Sequence, residues 1–269
     1  MQSARVSSPF TALSFARELR ALSELEHRGI PKLVDSGLTI EGNLYVVMTR
    51  VRGNPLSLVL RRARALGVAA RRTLVDQVLL PAFLDLCDAI EHAHGRGFVH
   101  RDLKPANVII DVSGRGWVVD WGLATDHTTL DSEAALLDEI RRQRIAKNRS
   151  DGPLVTGTPG YMSPERFGSD CDPTDPRLDV FGMGAVLFDI LTGKRAFGRK
   201  GGLSGVWEAM AQPAEDPRDL DPTIGDELAE ACNRALAREL DQRTPSISAL
   251  RRAVADAMET TPSALAGVS

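Results

Sequence analysis

His100-Arg101-Asp102-Leu103-Lys104-Pro105-Ala106-Asn107 is the stretch on which the reading of this chain turns. Downstream come Asp120-Trp121-Gly122 and then Gly157-Thr158-Pro159-Gly160-Tyr161-Met162-Ser163-Pro164-Glu165. A lone His-Arg-Asp carries little weight, because short polar triplets arise by chance. The full octet, followed in order by an Asp-x-Gly and a Ser-Pro-Glu, is far more specific. Aspartates that merely cap turns would not account for the joint spacing.

Working outward, the sequence before this stretch predicts one helix and two strands. Phe15, Leu19, Leu22 and Leu25 share one face of a helix over 14–27, and Gly29 stops it. Strands follow over 32–38 and 43–49, with Glu41-Gly42-Asn43 as the turn between them. Gly53-Asn54-Pro55 breaks the pattern, so we divide the chain there into a small unit, 1–53, and a large one, 54–258. The large unit reads as mostly helical. Pro81 suits the first turn of a helix running to His94, with Phe83, Cys87, Ile90 and His94 on one face. Short apolar runs over 108–110 and 117–119 read as strands. The polar, basic stretch 126–151 reads as a mobile loop. Residues 179–191 are apolar almost all round, which predicts a buried helix. Further helices are expected over 227–239 and 246–258, and a loose tail over 259–269.

Composition narrows the function classes. Hydrophobic residues make up 43% and charged residues 26%, as in globular domains, and the net charge of -3 argues against a dedicated nucleic-acid binder. Cys87, Cys171 and Cys232 are scattered, with no zinc-ligand spacing, so reduced thiols in a cytoplasmic protein are expected. No apolar run reaches membrane-spanning length, and the N-terminus opens no signal-peptide core.

Taken together, the three motifs resemble the catalytic loop, metal-binding motif and activation-segment end of eukaryotic-like Ser/Thr protein kinases, most of all the bacterial branch. The resemblance runs from about Phe15 to about Met258. It implies an α+β, two-lobed protein-kinase-like fold that transfers a phosphoryl group from MgATP to a protein Ser or Thr hydroxyl. Asp102 would orient the hydroxyl and accept its proton, and Lys104 would reach the transferring phosphoryl as a point charge. Asn107 and Asp120 would give Mg²⁺ the oxygen ligands it prefers. Thr158 would bond Asp102 and Lys104. Lys104 belongs to the Ser/Thr pattern of the loop. Met48 would be the gatekeeper, the backbone of Thr49 and Val51 would meet adenine, and Ile109 would either pack beneath it or simply fill core. Leu22, Leu33, His100 and Trp121 would form an apolar column between the lobes. Glu165 would pair with Arg243, and Asp179 would anchor the catalytic loop. Thr156 is either a phosphorylation site facing Arg101 or a solvated loop hydroxyl.

The pattern fails at the start. Glu18 matches the helix glutamate that pairs with a strand lysine, yet residues 1–13 hold no lysine and no glycine. The expectation is therefore an incomplete small lobe, with helix C and strands 4 and 5 only. Two explanations stand. The chain as given is incomplete at its start, with the lysine just upstream of Met1, or it is a truncated kinase-fold scaffold or regulator without turnover. Intact Asp102, Lys104, Asn107 and Asp120 favour the first. A small-molecule phosphotransferase has little use for the segment 157–165.

Overall fold

A computed structural model describes residues 2–4, 9–127, 158, 160–167, 171–198 and 211–260. Its first sheet joins β1 (Gln2–Ala4), β2 (Leu33–Leu38) and β3 (Leu44–Met48) in the order β1-β3-β2. Both neighbours of β3 run antiparallel to it, β1 with Gln2 opposite Val46 and β2 with Leu38 opposite Leu44. The expected two-stranded hairpin is thus corrected. A third strand covers the outer side of β3, and three strands with a helix behind them make a unit that a lone hairpin does not. Three residues are too few to give a readable alternation, which is why the sequence did not disclose β1.

Helix α1 (Pro9–Glu24) packs behind β2. It begins earlier than the apolar stripe suggested, at a proline whose fixed φ suits a first helical turn. It ends at Glu24, and the chain then turns at Gly29, whose amide donates to His27 Nδ1 at 3.1 Å. Leu13, Ala21 and Leu22 are its buried apolar face, and Leu25 just beyond it is buried too.

The second sheet is β4 (Gly53–Pro55), β5 (Val108–Asp111) and β6 (Gly116–Val118), in that order and antiparallel throughout. Val108 and Ile110 point into the core and Ile109 to the other face, as the period of two requires. Between β4 and β5 lie α2 (Leu56–Ala63), α3 (Val68–Leu74) and α4 (Leu80–Gly95), with a π-helical turn at Val75–Leu79. Pro81 cannot donate the amide bond that the Gln77 carbonyl would receive, so a widened turn just ahead of it has a cause.

The large lobe is built on α5 (Arg177–Thr192). Every residue from Leu178 to Thr192 is buried, and Gly193 closes the helix in the left-handed region at φ 69°. Around it pack α4, α6 (Pro217–Leu220), α7 (Asp226–Ala235) and α8 (Ile247–Thr260). Phe83, Ile90, Phe181 and Phe188 lie at the centre, each fully buried and each contributing about 2 kcal/mol of burial. The small lobe is sheet-rich and the large lobe helical. Among the described residues no helix is long and apolar enough to cross a membrane. The expected mobile loop over 126–151 lies, beyond His127, outside the described residues, as do Thr156 and the tail from 261.

Candidate active site

The octet forms a loop between α4 and β5, and α5 holds it from below. Asp179, 1% exposed, accepts hydrogen bonds from the backbone amides of His100 and Arg101, both at 2.8 Å, and from His94 Nε2 at 2.8 Å. Burial opposes charge on this carboxyl. The bonds and charge from His94, with His100 beyond it, prevail and hold its pKa below the usual range. The anchor fixes Arg101 at φ 66°, a left-handed conformation that costs a non-glycine residue about 1–3 kcal/mol. Arg166 adds a second tie, donating from Nη1 to the Arg101 carbonyl at 2.5 Å. Neither His94 nor Arg166 stood out in the sequence, because their roles depend on contacts across 85 and 65 residues.

With its backbone pinned, the loop concentrates its polar groups on Asp102. Lys104 Nζ lies 2.6 Å from Asp102 Oδ2, and Asn107 Nδ2 donates to the same oxygen at 3.0 Å and to the Asp102 carbonyl at 2.9 Å. Asn107 thus spends its donor end on the loop and keeps its amide oxygen for something else. The His100 ring lies 3.3 Å from the Val119 carbonyl through Nε2, and it packs on Trp121 at 4.6 Å between centroids. Asp120 follows Val119 with φ 64°, and its carboxylate is exposed. A Cβ at Gly122 would come within 2.4 Å of Ser14 Oγ, so α1 sits directly against this turn. Of the residues expected to form an apolar column, Leu22 and Trp121 belong to the buried core and Leu33 packs against it.

The structure brings Asp102, Lys104 and Asn107 together, with Asp120 one strand away. Thr158 does not join them in this structure: its hydroxyl makes no hydrogen bond among the described residues, and its carbonyl accepts from the Tyr161 amide at 3.1 Å. Asp102 Oδ2 is already filled by Lys104 and Asn107. Glu165 does meet Arg243, in a two-pronged pair at 2.6 and 2.9 Å, with the guanidinium fully buried.

On the small-lobe side Met48 ends β3 against the core. Thr49 donates its amide to the Lys32 carbonyl at 2.9 Å, while no group among the described residues bonds the Thr49 carbonyl or the Val51 amide. The Glu18 carboxylate, on α1, has no hydrogen-bond or ion-pair partner among the described residues. Burial first, and the Asp120 carboxylate second, raise its pKa to about 7.

A pinned loop presenting a carboxylate beside an ammonium, an amide oxygen and a second carboxylate, with a sheet-rich and a helical lobe, is the arrangement of a protein-kinase fold. Comparison with known proteins gives the family directly: the protein kinase domain model matches residues 4–253. The chain belongs to that family. It is 31% identical over 237 residues to the DNA damage-responsive serine/threonine-protein kinase RqkA of Deinococcus radiodurans, covering 88% of this chain and 32% of that protein. It is 27% identical over 263 residues to serine/threonine-protein kinase PknD of Chlamydia pneumoniae, covering 95% and 27%. It is 30% identical over 244 residues to serine/threonine-protein kinase Pkn1 of Myxococcus xanthus, covering 89% and 31%. The chain therefore spans about a third of the length of these relatives.

Proposed function

We propose that the chain transfers the terminal phosphoryl of MgATP to a Ser or Thr hydroxyl of a protein. The observation that carries this reading is Asp102, braced by Lys104 and Asn107 in a loop that Asp179 holds in a strained shape. Asp102 accepts the proton of the hydroxyl, and Lys104 compensates the charge of the moving group. The donor set suits Mg²⁺, which takes one or two protein oxygens and completes its shell from water and phosphate. The amide oxygen of Asn107 and the carboxylate of Asp120 are the residues for it. When bound, the ion neutralises phosphate charge. The unbonded Thr49 carbonyl and Val51 amide offer adenine one acceptor and one donor, between Met48 and Ile109. Thr158 is assigned to the substrate side, its hydroxyl closing on Asp102 and Lys104 once a substrate is seated. Residues 1–53 are taken as the small lobe and 54–258 as the large one. Three free thiols support a reducing, cytoplasmic setting.

The phosphate end fits less well. Among the described residues Glu18 has no cation to position, and loss of one preorganised donor costs about 10²–10³ in rate. That observation favours a second reading, a kinase-fold scaffold or regulator that binds nucleotide without turnover. Transfer from labelled MgATP to the chain itself or to a generic protein substrate separates the two. Under the lead reading label appears, and Asp102→Asn lowers it by about 10²–10⁴. Nucleotide binding with no label above the Asp102→Asn background sinks the lead reading and leaves the second.

A further inference from the structure

The C-terminal end of α5 opens onto a cleft of about 660 Å³ whose polar side chains, among the described residues, are almost all cationic: Arg64, Arg71, Lys194 and Arg195. Leu66 and Val68, 45% and 82% exposed, give it apolar ground. No carboxylate is among the described lining residues. Among the described residues, the carboxylates that feel these cations are Asp189, which is buried, through Arg195 and Arg64, and Asp221 through Arg71. Two of the arginines are held in place: Arg64 Nε donates to the Gly193 carbonyl at 2.9 Å and Arg71 Nη2 to the Leu191 carbonyl at 2.6 Å. They cap the helix end, where its dipole favours positive charge, and keep further N–H groups for a ligand. Lys194 pairs with no carboxylate among the described residues. In a chain of net charge -3, this concentration of positive charge is local.

The cleft adjoins the catalytic loop through one segment. Arg195 lies over the Tyr161 ring at 5.9 Å, and Tyr161 Oη donates to Asp189 at 2.6 Å. The backbone of Tyr161 and the side chain of Leu103, next to Asp102, both rest on α5 at Gly182. From Gly182 to Gly193 the helix advances about 16 Å. An extended chain covers that distance in about five residues.

We propose that this cleft binds an acidic segment of the protein substrate, about five residues from the Ser or Thr placed at Asp102. The proposal rests on the protein-kinase reading above and adds the substrate's charge and the position of that charge. Rim cations of this kind steer association and make it sensitive to salt.

The test uses fluorescein-labelled peptides, each with one Ser in a neutral sequence. One set carries an Asp/Glu run about five residues before or after the Ser, and the other carries Asn/Gln in the same places. Fluorescence anisotropy on the 269-residue chain should give binding about tenfold tighter for one acidic register, weakening as salt is added. Lys194→Glu, at an exposed position, should remove most of that gain without moving the melting temperature. In phosphate transfer the acidic register should lower KM with kcat unchanged. Equal binding of acidic and neutral peptides, or a gain that Lys194→Glu leaves intact, overturns the proposal. So does preference for duplex DNA or phosphatidylserine vesicles with no discrimination between the peptides. Acid-dependent, Lys194-dependent binding without any transfer would keep the cleft and sink the phosphotransfer reading. Transfer to both peptides alike would do the reverse.

Discussion

Glu18 sits half-buried beside the Asp120 carboxylate, with no cation paired to it among the described residues. In an unfolded chain it titrates near 4.5, and in the folded protein near 7. The folded state therefore binds the proton more tightly. The stability this contributes is fully present below pH 4.5 and is lost as pH rises through 7. Glu18→Gln removes the titration. It should raise the melting temperature by about 5 °C at pH 8 and leave it near wild type at pH 5, which thermal melts at the two values check. The same shift at both values would mean that side-chain shape, not charge, sets the effect. Trp121 poses the opposite problem. It is fully buried against His100, and its indole Nε1 has no partner. An orphaned donor costs about 1–3 kcal/mol, close to what the smaller ring of a phenylalanine forfeits in packing. Trp121→Phe should thus stay within about 1 kcal/mol of wild type, while Trp121→Ala loses about 3–5 kcal/mol in urea unfolding. A Phe variant as weak as the Ala variant would show that the indole N–H is satisfied, for instance by a bound water. The sequence disclosed the role of Trp121 from its place in Asp-Trp-Gly. It could not disclose the stranded N–H, which depends on what packs around it.

Elements with a long, regular pattern were legible before any coordinates. The buried helix α5 followed from an apolar run with no polar stripe, and α1 from leucines recurring at helical spacing. The catalytic loop was legible because its residues are contiguous. The strands β1 and β4 were not, since each is three residues long and is fixed by a distant partner. Gly53-Asn54-Pro55 reads locally as a break, yet Asn54 pairs with Ile110. Packing between elements was equally hidden, and Gly184 illustrates it. A methyl there would lie 2.8 Å from Ala235 Cβ and 3.1 Å from the Ala235 carbonyl carbon, so α5 and α7 touch without a spacer. By propensity alone Gly184→Ala would gain about 1 kcal/mol. The clash should reverse the sign and destabilise by about 1–3 kcal/mol, read as a lower urea midpoint at unchanged slope. A stabilised variant would mean that α7 can step aside at no cost, and that the α5–α7 contact is looser than its geometry.

At the scale of the whole molecule, the two lobes differ in how much holds them. The large lobe closes around α5 with a continuous apolar core. The small lobe has one sheet in which β2 is a free edge, and Val34, Leu38 and Ile40 in and beside it are 62%, 66% and 103% exposed. Its attachment runs through α1 and the segment after it, whose Leu22, Leu25 and Ile30 join the common core, while most of the β2 and β3 surface is only half-buried. Local opening follows buried apolar contact, so the lobes should open separately. Native-state hydrogen exchange should find the amides of β2 and β3 opening several kcal/mol below the global limit, and those of α4 and α5 near it. Nucleotide that bridges Thr49 and Val51 to Asn107 and Asp120 would link the lobes, and by mass action should bring the β2–β3 amides toward the large-lobe value. Equal protection of both lobes without nucleotide would mean that α1 alone makes them one cooperative unit. Protection that ignores MgATP would mean that the cleft between them does not close on it.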